Sequence, residues 1–165
     1  MEHTLHKDLG EMLDKQFGES VKRDKACGGK QYVPLYGSLR ASNEAKYCNV
    51  DMLILKGNKI KVIIEIEESD IKPVHVFGKF LASASSLCYI YDKKTYGMDK
   101  SVSFIQIIDI SGLPDKNSKR NQCKNIESSI KKIESKITDY RLIPIRDYEK
   151  EKDGILKIIS RCLAQ

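Results

Sequence analysis

The chain reads as an α/β domain, a mixed central sheet flanked by helices, with elements in the order α-β-β-β-α-β-α-β-α. Three observations predict it. The segment Asn49 to Glu68 is a pair of apolar strands meeting at Gly57-Asn58, a residue pair that suits a two-residue hairpin turn. Apolar residues recur at helical spacing near both ends and twice in between. The run Val62 to Ile66 is too apolar for a surface strand, and Phe104 to Ile110 is a further apolar strand broken by Gly112-Leu113-Pro114. An antiparallel start followed by strand-helix-strand crossovers implies a mixed sheet with helices on both faces.

The first helix covers Thr4 to Phe17, with Leu5, Leu9, Met12, Leu13 and Phe17 on one stripe and Gly18 ending it. Ser20 to Lys30 is polar, contains Gly28-Gly29 and reads as a loop. Gln31 to Leu39 is the first expected strand, and Pro34 suggests an edge or a bulge. The hairpin supplies the next two. Ser69-Asp70-Ile71-Lys72-Pro73 is a helix start, with a capping acid and proline in the first turn. Phe77, Phe80, Leu81, Ala84, Leu87 and Cys88 carry that helix to about Tyr91. After the strand Phe104 to Ile110, the spacing of Cys123, Ile126, Ile130, Ile133 and Ile137 predicts a helix. Tyr140 to Ile145 is a short strand, and Ile155, Ile158, Ile159 and Cys162 mark the last helix.

At 165 residues, with no linker, repeat or low-complexity tract, residues 1–165 form one domain. No apolar run approaches the roughly 20 residues of a membrane span, so no membrane partner is expected. The charged start, Glu2 to Asp8, is neither a signal nor a transit peptide. Five widely spaced cysteines without a C-x-x-C pair fit neither a zinc site nor a disulfide framework. Free thiols suit a reducing cytoplasm, and Cys88, Cys123 and Cys162 fall on apolar helix faces. A net charge of +6 favours a polyanionic partner.

Folding the hairpin carries Asp51 back alongside Glu65 to Glu67. Strand periodicity puts Glu65 and Glu67 on one face, with Ile64 and Ile66 on the other. Carboxylates crowded at the end of a buried sheet need a compensating cation, because burying an unpaired one costs several kcal/mol. A hard divalent ion is one answer. The alternative is a solvated strand end paired with Lys59, Lys61 or Lys72.

An acid opening one strand and an acid-x-acid closing the next, in this order of elements, resembles the PD-(D/E)XK nuclease superfamily, the fold of restriction endonucleases and Holliday-junction resolvases. The resemblance implies a restriction endonuclease-like fold and Mg²⁺- or Mn²⁺-dependent hydrolysis of DNA. It implies that Asp51 and Glu65 are metal ligands, with the backbone carbonyl of Ile66 as a third, and that Asp51, Glu65 and Glu67 form the catalytic set. Val50 stands where the motif has proline, and Glu67 where it has lysine. Some members carry glutamate there and others supply the lysine from the next helix, for which Lys72 and Lys79 are the candidates. A member of the first helix often joins the site. Asp8 flanks the stripe within reach of the site and Glu11 projects almost opposite the core, but both read as solvated helix residues; His6 and His75 have no partner at metal-ligand spacing and are assigned no chemistry. Arg40, in the polar loop with Ser38, Ser42 and Asn43, is the first choice for a phosphate contact, with Lys72 and Lys79 beside it. Lys116, Lys119, Arg120 and Lys124 read as a solvated helix face. Cleaving both strands commonly uses two sites, so a homodimer follows by analogy. The competing reading is a nuclease-fold module without catalysis that binds nucleic acid or a protein.

Overall fold

The computed structural model describes residues 4–68 and 72–165. Helix α1 (Thr4–Phe17) leads through a 3-10 turn to strands β1 (Val21–Arg23), β2 (Val33–Tyr36), β3 (Lys46–Val50), β4 (Met52–Lys56) and β5 (Lys59–Glu67). Helix α2 (Pro73–Ala84), strands β6 (Cys88–Tyr91) and β7 (Lys94–Asp109), helix α3 (Lys116–Ile130), strand β8 (Ile137–Ile145) and helix α4 (Tyr148–Ala164) follow. Among the described residues the protein is therefore mixed α/β, with eight strands in one mixed sheet and four α-helices. None of these helices is long and apolar enough to cross a membrane.

The pairing path is β1-β4-β5-β7-β6-β2-β3, with β8 on β7. β5, β7 and β8 run parallel, and the remaining pairs are antiparallel. β3 and β4 lie far apart on that path, yet only Asp51 separates them in the chain. The sheet therefore curls, and β2, β3 and β6 form a wing folded back from the parallel half. Asp51 is the pivot of that curl.

Two apolar clusters fill the two faces. Ile63, Phe104, Phe80 of α2 and Ile126 and Ile130 of α3 belong to one. Val62, Ile64, Ile66, Leu9 and Leu13 of α1 and Ile155 and Ile159 of α4 belong to the other. Ile64 and Ile66 thus face α1 and α4. Alternation aims Glu65 at the α2 side, as the sequence predicts.

Several boundaries differ from expectation, each for a local reason. The segment read as loop 20–30 holds β1, whose three residues pair with β4. The strand expected over 31–39 shrinks to β2, and the polar sequence of β3 conceals a further strand. Pro34 lies beyond the two residues that pair with β6, so its missing N–H costs no ladder bond there. The second helix stops at Ala84, and Cys88 is a strand residue rather than a helix-face residue. The third helix stops at Ile130; Ile133 is exposed and Ile137 opens β8, where parallel pairing with β7 satisfies its backbone. The proposed cap residues Ser69, Asp70 and Ile71 lie outside the described residues, and α2 begins at Pro73 as expected. All five cysteines are free thiols.

At the β4–β5 turn Gly57 takes φ +60° while Asn58 stays in the ordinary region, the pattern of a turn with glycine at its first central position. The β6–β7 hairpin turns on Asp92 (φ 45°) and Lys93 (φ 61°) without any glycine. Aspartate tolerates this region better than lysine. Lys93→Gly is therefore expected to raise stability by about 0.5–1 kcal/mol, read as a higher urea midpoint at unchanged m-value. A lower midpoint would show that Lys93 makes a contact worth more than its strain.

Candidate active site

The ends of β5 and of the β3–β4 pivot meet at one edge of the sheet. Register pairs Met52 with Ile64, which sets Asp51 beside Glu65 and Ile66. The Ile66 N–H donates to Asp51 Oδ2 at 2.7 Å, and the Asp51 carbonyl accepts from Asp24 N at 2.9 Å. Asp51 is thus held through both its side chain and its backbone. Glu65 is 1% exposed, and the Asp51 carboxyl lies within hydrogen-bonding reach of it.

Helix α2 delivers a cation to this edge. Lys79 Nζ donates to Glu65 Oε2 at 3.0 Å and stands 2.6 Å from Glu67 Oε1. The second contact is a close ion pair that holds the buried Glu67 Oε1 against the ammonium, with the angle between them poor for a hydrogen bond. Lys79, rather than Lys59, Lys61 or Lys72, is the partner of the acids. Lys61 is itself buried and spent on Asp99 and the Ser101 carbonyl. Lys72 sits exposed at the N-cap of α2.

From the other face, α1 contributes His6. Its Nδ1 shares a 2.5 Å hydrogen bond with Glu68 Oε1, which also accepts from the His6 backbone N–H at 2.9 Å. Its Nε2 is 3.6 Å from Asp51 Oδ2. His6 is not isolated: it shares the Leu9/Leu13 face of α1, which packs it against the acids. Asp8 is exposed, as read, and lines a separate cavity with Asp109 and Arg146.

Arg40 does not lie beside the acids. The β2–β3 pair is a hairpin whose tip holds Arg40, while its open end, Val33 against Val50, adjoins Asp51. Five residues of strand, roughly 16 Å, separate that tip from Asp51. Arg40 and Ser38 bond each other there instead. Lys116, Lys119, Arg120 and Lys124 belong to α3, where Lys124 is exposed and the other three are half-buried.

Electrostatics divide the two central acids. Burial first, then the charge of Asp51, pushes Glu65 well above the ordinary carboxylate range against the pull of Lys79. Burial acts upward on Asp51 too, but hydrogen bonding to His6 and the charge of Lys79 outweigh it and hold Asp51 low. Burial lowers Lys79, and the charge of Glu65 with its acid neighbours more than reverses that, so the ammonium stays protonated. Burial also lowers His6, but hydrogen bonds to Asp51 and Glu68 and their charges lift it to about 9.

The last shift predicts a pH dependence of stability. A folded-state value raised from 6.5 to about 9 means that His6 contributes fully below pH 6.5 and loses its contribution as pH rises to about 9. That contribution is on the order of 3 kcal/mol. Glu65, also raised, loses stability with rising pH in the same sense. The melting temperature should fall between pH 6.5 and 9, and His6→Gln should flatten the fall. An unchanged slope in that variant would remove His6 as the cause.

Asp51, Glu65 and Glu67 were expected to converge on a shared ion. Among the described residues, no group of three or more His, Cys, Asp or Glu side chains gathers to cage a metal, because Glu67 is turned to Lys79. Asp51 and Glu65 remain as adjacent carboxylates. Two carboxylates fit Mg²⁺ or Mn²⁺, with waters and substrate phosphate supplying the remaining oxygens. Family models, curated proteins and solved structures, compared with the chain, give no match.

Proposed function

We propose that the chain is a divalent-metal-dependent nuclease of the PD-(D/E)XK kind, hydrolysing DNA phosphodiester bonds on a curled variant of the restriction endonuclease-like fold. One observation carries the reading: Asp51 and Glu65 lie side by side at the end of a buried strand with the ammonium of Lys79 against them. The order α1, β4–β5 hairpin, α2, β7, α3, β8 supports the fold, since parallel strands follow the hairpin as the superfamily requires. Lys79 supplies from α2 the lysine absent at Glu67.

Asp51 and Glu65 would hold Mg²⁺ or Mn²⁺, which when bound supplies Lewis acidity at a phosphoryl oxygen and acidifies a water. Burial opposes the charge of Glu65, which a bound cation would offset, and hydrogen bonding to His6 with the charge of Lys79 holds Asp51 low. Lys79 remains an ammonium and so balances charge on the phosphate rather than taking a proton. Glu67, with one oxygen not aligned in any hydrogen bond, accepts the proton of the attacking water. His6 and the Ile66 N–H fix the Asp51 carboxylate and so act as positioning groups. Cutting both strands would use two copies, and free thiols suit the cytoplasm.

The ion pairs of Lys79 also satisfy the acids with no metal, and that observation favours the second reading, a non-catalytic module binding nucleic acid or a protein. Plasmid incubated with the purified protein separates them. Nicking or linearisation with Mg²⁺ or Mn²⁺, abolished by EDTA, is expected. Binding that weakens by about 0.9 in log K per phosphate with log salt, but without cleavage of DNA or RNA, replaces the nuclease with the binding module.

A further inference from the structure

The wing carries a surface that the proposed chemistry leaves unused. Val33 and Leu35 of β2, Val50 of β3 and Tyr89 of β6 point into the core. Helix α2 packs on β3 from the core side, where Cys48 Sγ meets Ser83 Oγ. On the opposite face of the wing, a groove of about 320 Å³ is lined by Tyr32, Tyr36 and Tyr91 together with Lys46, Asn43 and Asn49, and Asp92 closes its rim. Gln31 and Tyr91 also line a second cleft of about 250 Å³, whose wall includes Lys22, Arg23 and Lys30.

Three features set the occupant. Tyr32 is 59% exposed and Tyr91 42%; one face of the Tyr91 ring is already stacked on Tyr89, centroids 6.2 Å apart, so Tyr91 offers an incoming base only the rest of its exposed surface. Lysines flank the rings: Lys46 and Lys30 from the two clefts, and Lys25 Nζ 4.9 Å from the centre of the Tyr32 ring. The surface is continuous with the candidate site. Asn49 lies two residues, roughly 7 Å, before Asp51 on the same run of chain. Asp24, at the start of the loop that forms the second cleft, donates its N–H to the Asp51 carbonyl. Aromatic rings spaced among cations along a groove match unpaired bases on a phosphate backbone; a duplex buries its base faces and offers nothing to stack.

We propose that the outer face of the β2–β3–β6 wing binds a single-stranded segment of nucleic acid, stacking its bases on Tyr32, Tyr36 and Tyr91 with Lys30 and Lys46 on its phosphates. Resting on the nuclease reading, this makes the substrate one with an unpaired stretch beside the scissile bond, such as a flap, a fork or a gapped end.

The probe is oligothymidylate of about a dozen nucleotides, titrated in EDTA so that nothing is cut. The chain has no tryptophan, so its tyrosine emission reports stacking directly. Quenching is expected, and Tyr32→Ala and Tyr91→Ala should each weaken binding roughly 5- to 150-fold. Tyr32→Phe and Tyr91→Phe, which keep the ring, should retain it. Both residues are exposed, and unchanged circular dichroism checks that the alanine variants fold. Binding unaffected by the alanine variants, or equally tight to duplex without quenching, overturns the inference. Concentration-dependent self-association lost in Tyr32→Ala, without oligonucleotide binding, gives the face to a second copy and overturns it too. Cleavage is read separately, on plasmid and on a flapped duplex with Mg²⁺ or Mn²⁺: cleavage of either without oligothymidylate binding ends this inference and leaves the nuclease, whereas binding with neither substrate cut ends the nuclease and leaves the strand-binding face.

Discussion

Glu65→Gln is expected to lower metal-dependent cleavage by roughly 10³-fold or more while leaving stability unchanged or slightly raised. The two halves of that expectation come from the same geometry. Glu65 is 1% exposed, and burial together with the Asp51 charge opposes its ionisation. Glutamine has the same shape, can accept from Lys79 as Glu65 Oε2 does, and carries no charge to desolvate. Replacing a buried charge with a neutral group of similar volume is often neutral or stabilising. Lys79 keeps Glu67 as a counter-charge. A charge held at a cost to stability marks a site kept for function. Cleavage of plasmid and thermal unfolding of the same preparation check the pair. Wild-type cleavage in the variant would move the chemistry away from Glu65. A loss of several kcal/mol in stability would make Glu65 a structural half of its ion pair.

How much of this was legible in the sequence follows the range of the interactions. The β4–β5 hairpin and the juxtaposition of Asp51 with Glu65 were legible because turn and strand period are local, and register then follows by counting. Lys79 was legible as a candidate because it lies off the Phe77/Phe80 stripe on the helix following the acids. Its choice over Lys72 depends on the packing of α2, which no local pattern carries. His6 was missed because its partner Glu68 is 62 residues away and the pair exists only once α1 is docked. The only local sign was its place on the Leu9/Leu13 face, where a lone histidine reads as ordinary core. The distance of Arg40 from Asp51 was not legible, because nearness in sequence is not nearness in space. The residues between are a strand, so the hairpin tip is the far end. The wing itself was invisible for two reasons. Lys46–Val50 exposes most of its side chains and lacks an apolar alternation, and the Asp92-Lys93 turn lacks the glycine by which such hairpins announce themselves.

A swap of charges across the Lys79–Glu67 contact tests whether the helix lysine stands in for the one missing from the strand. Glu67→Lys puts the superfamily's usual residue in β5 but sets its ammonium against that of Lys79, where the wild-type pair is 2.6 Å apart. Two cations there repel, and the proposed proton acceptor is gone, so activity should fall by about 10²-fold or more. Lys79→Glu is expected to be worse. It leaves Glu65, Glu67 and the new acid facing one another with no cation on the α2 side of Asp51, which also costs about 2 kcal/mol of stability after allowing for the partial exposure of Lys79. The double variant Glu67→Lys with Lys79→Glu restores one cation and one acid at the same edge with their elements exchanged. It should recover at least tenfold over Lys79→Glu, a coupling of about 1.4 kcal/mol on the barrier, and most of the lost stability. Strictly additive losses in the cycle would mean that Lys79 and Glu67 do not act on the reaction together, and Glu67 would then serve from its own position without help from α2.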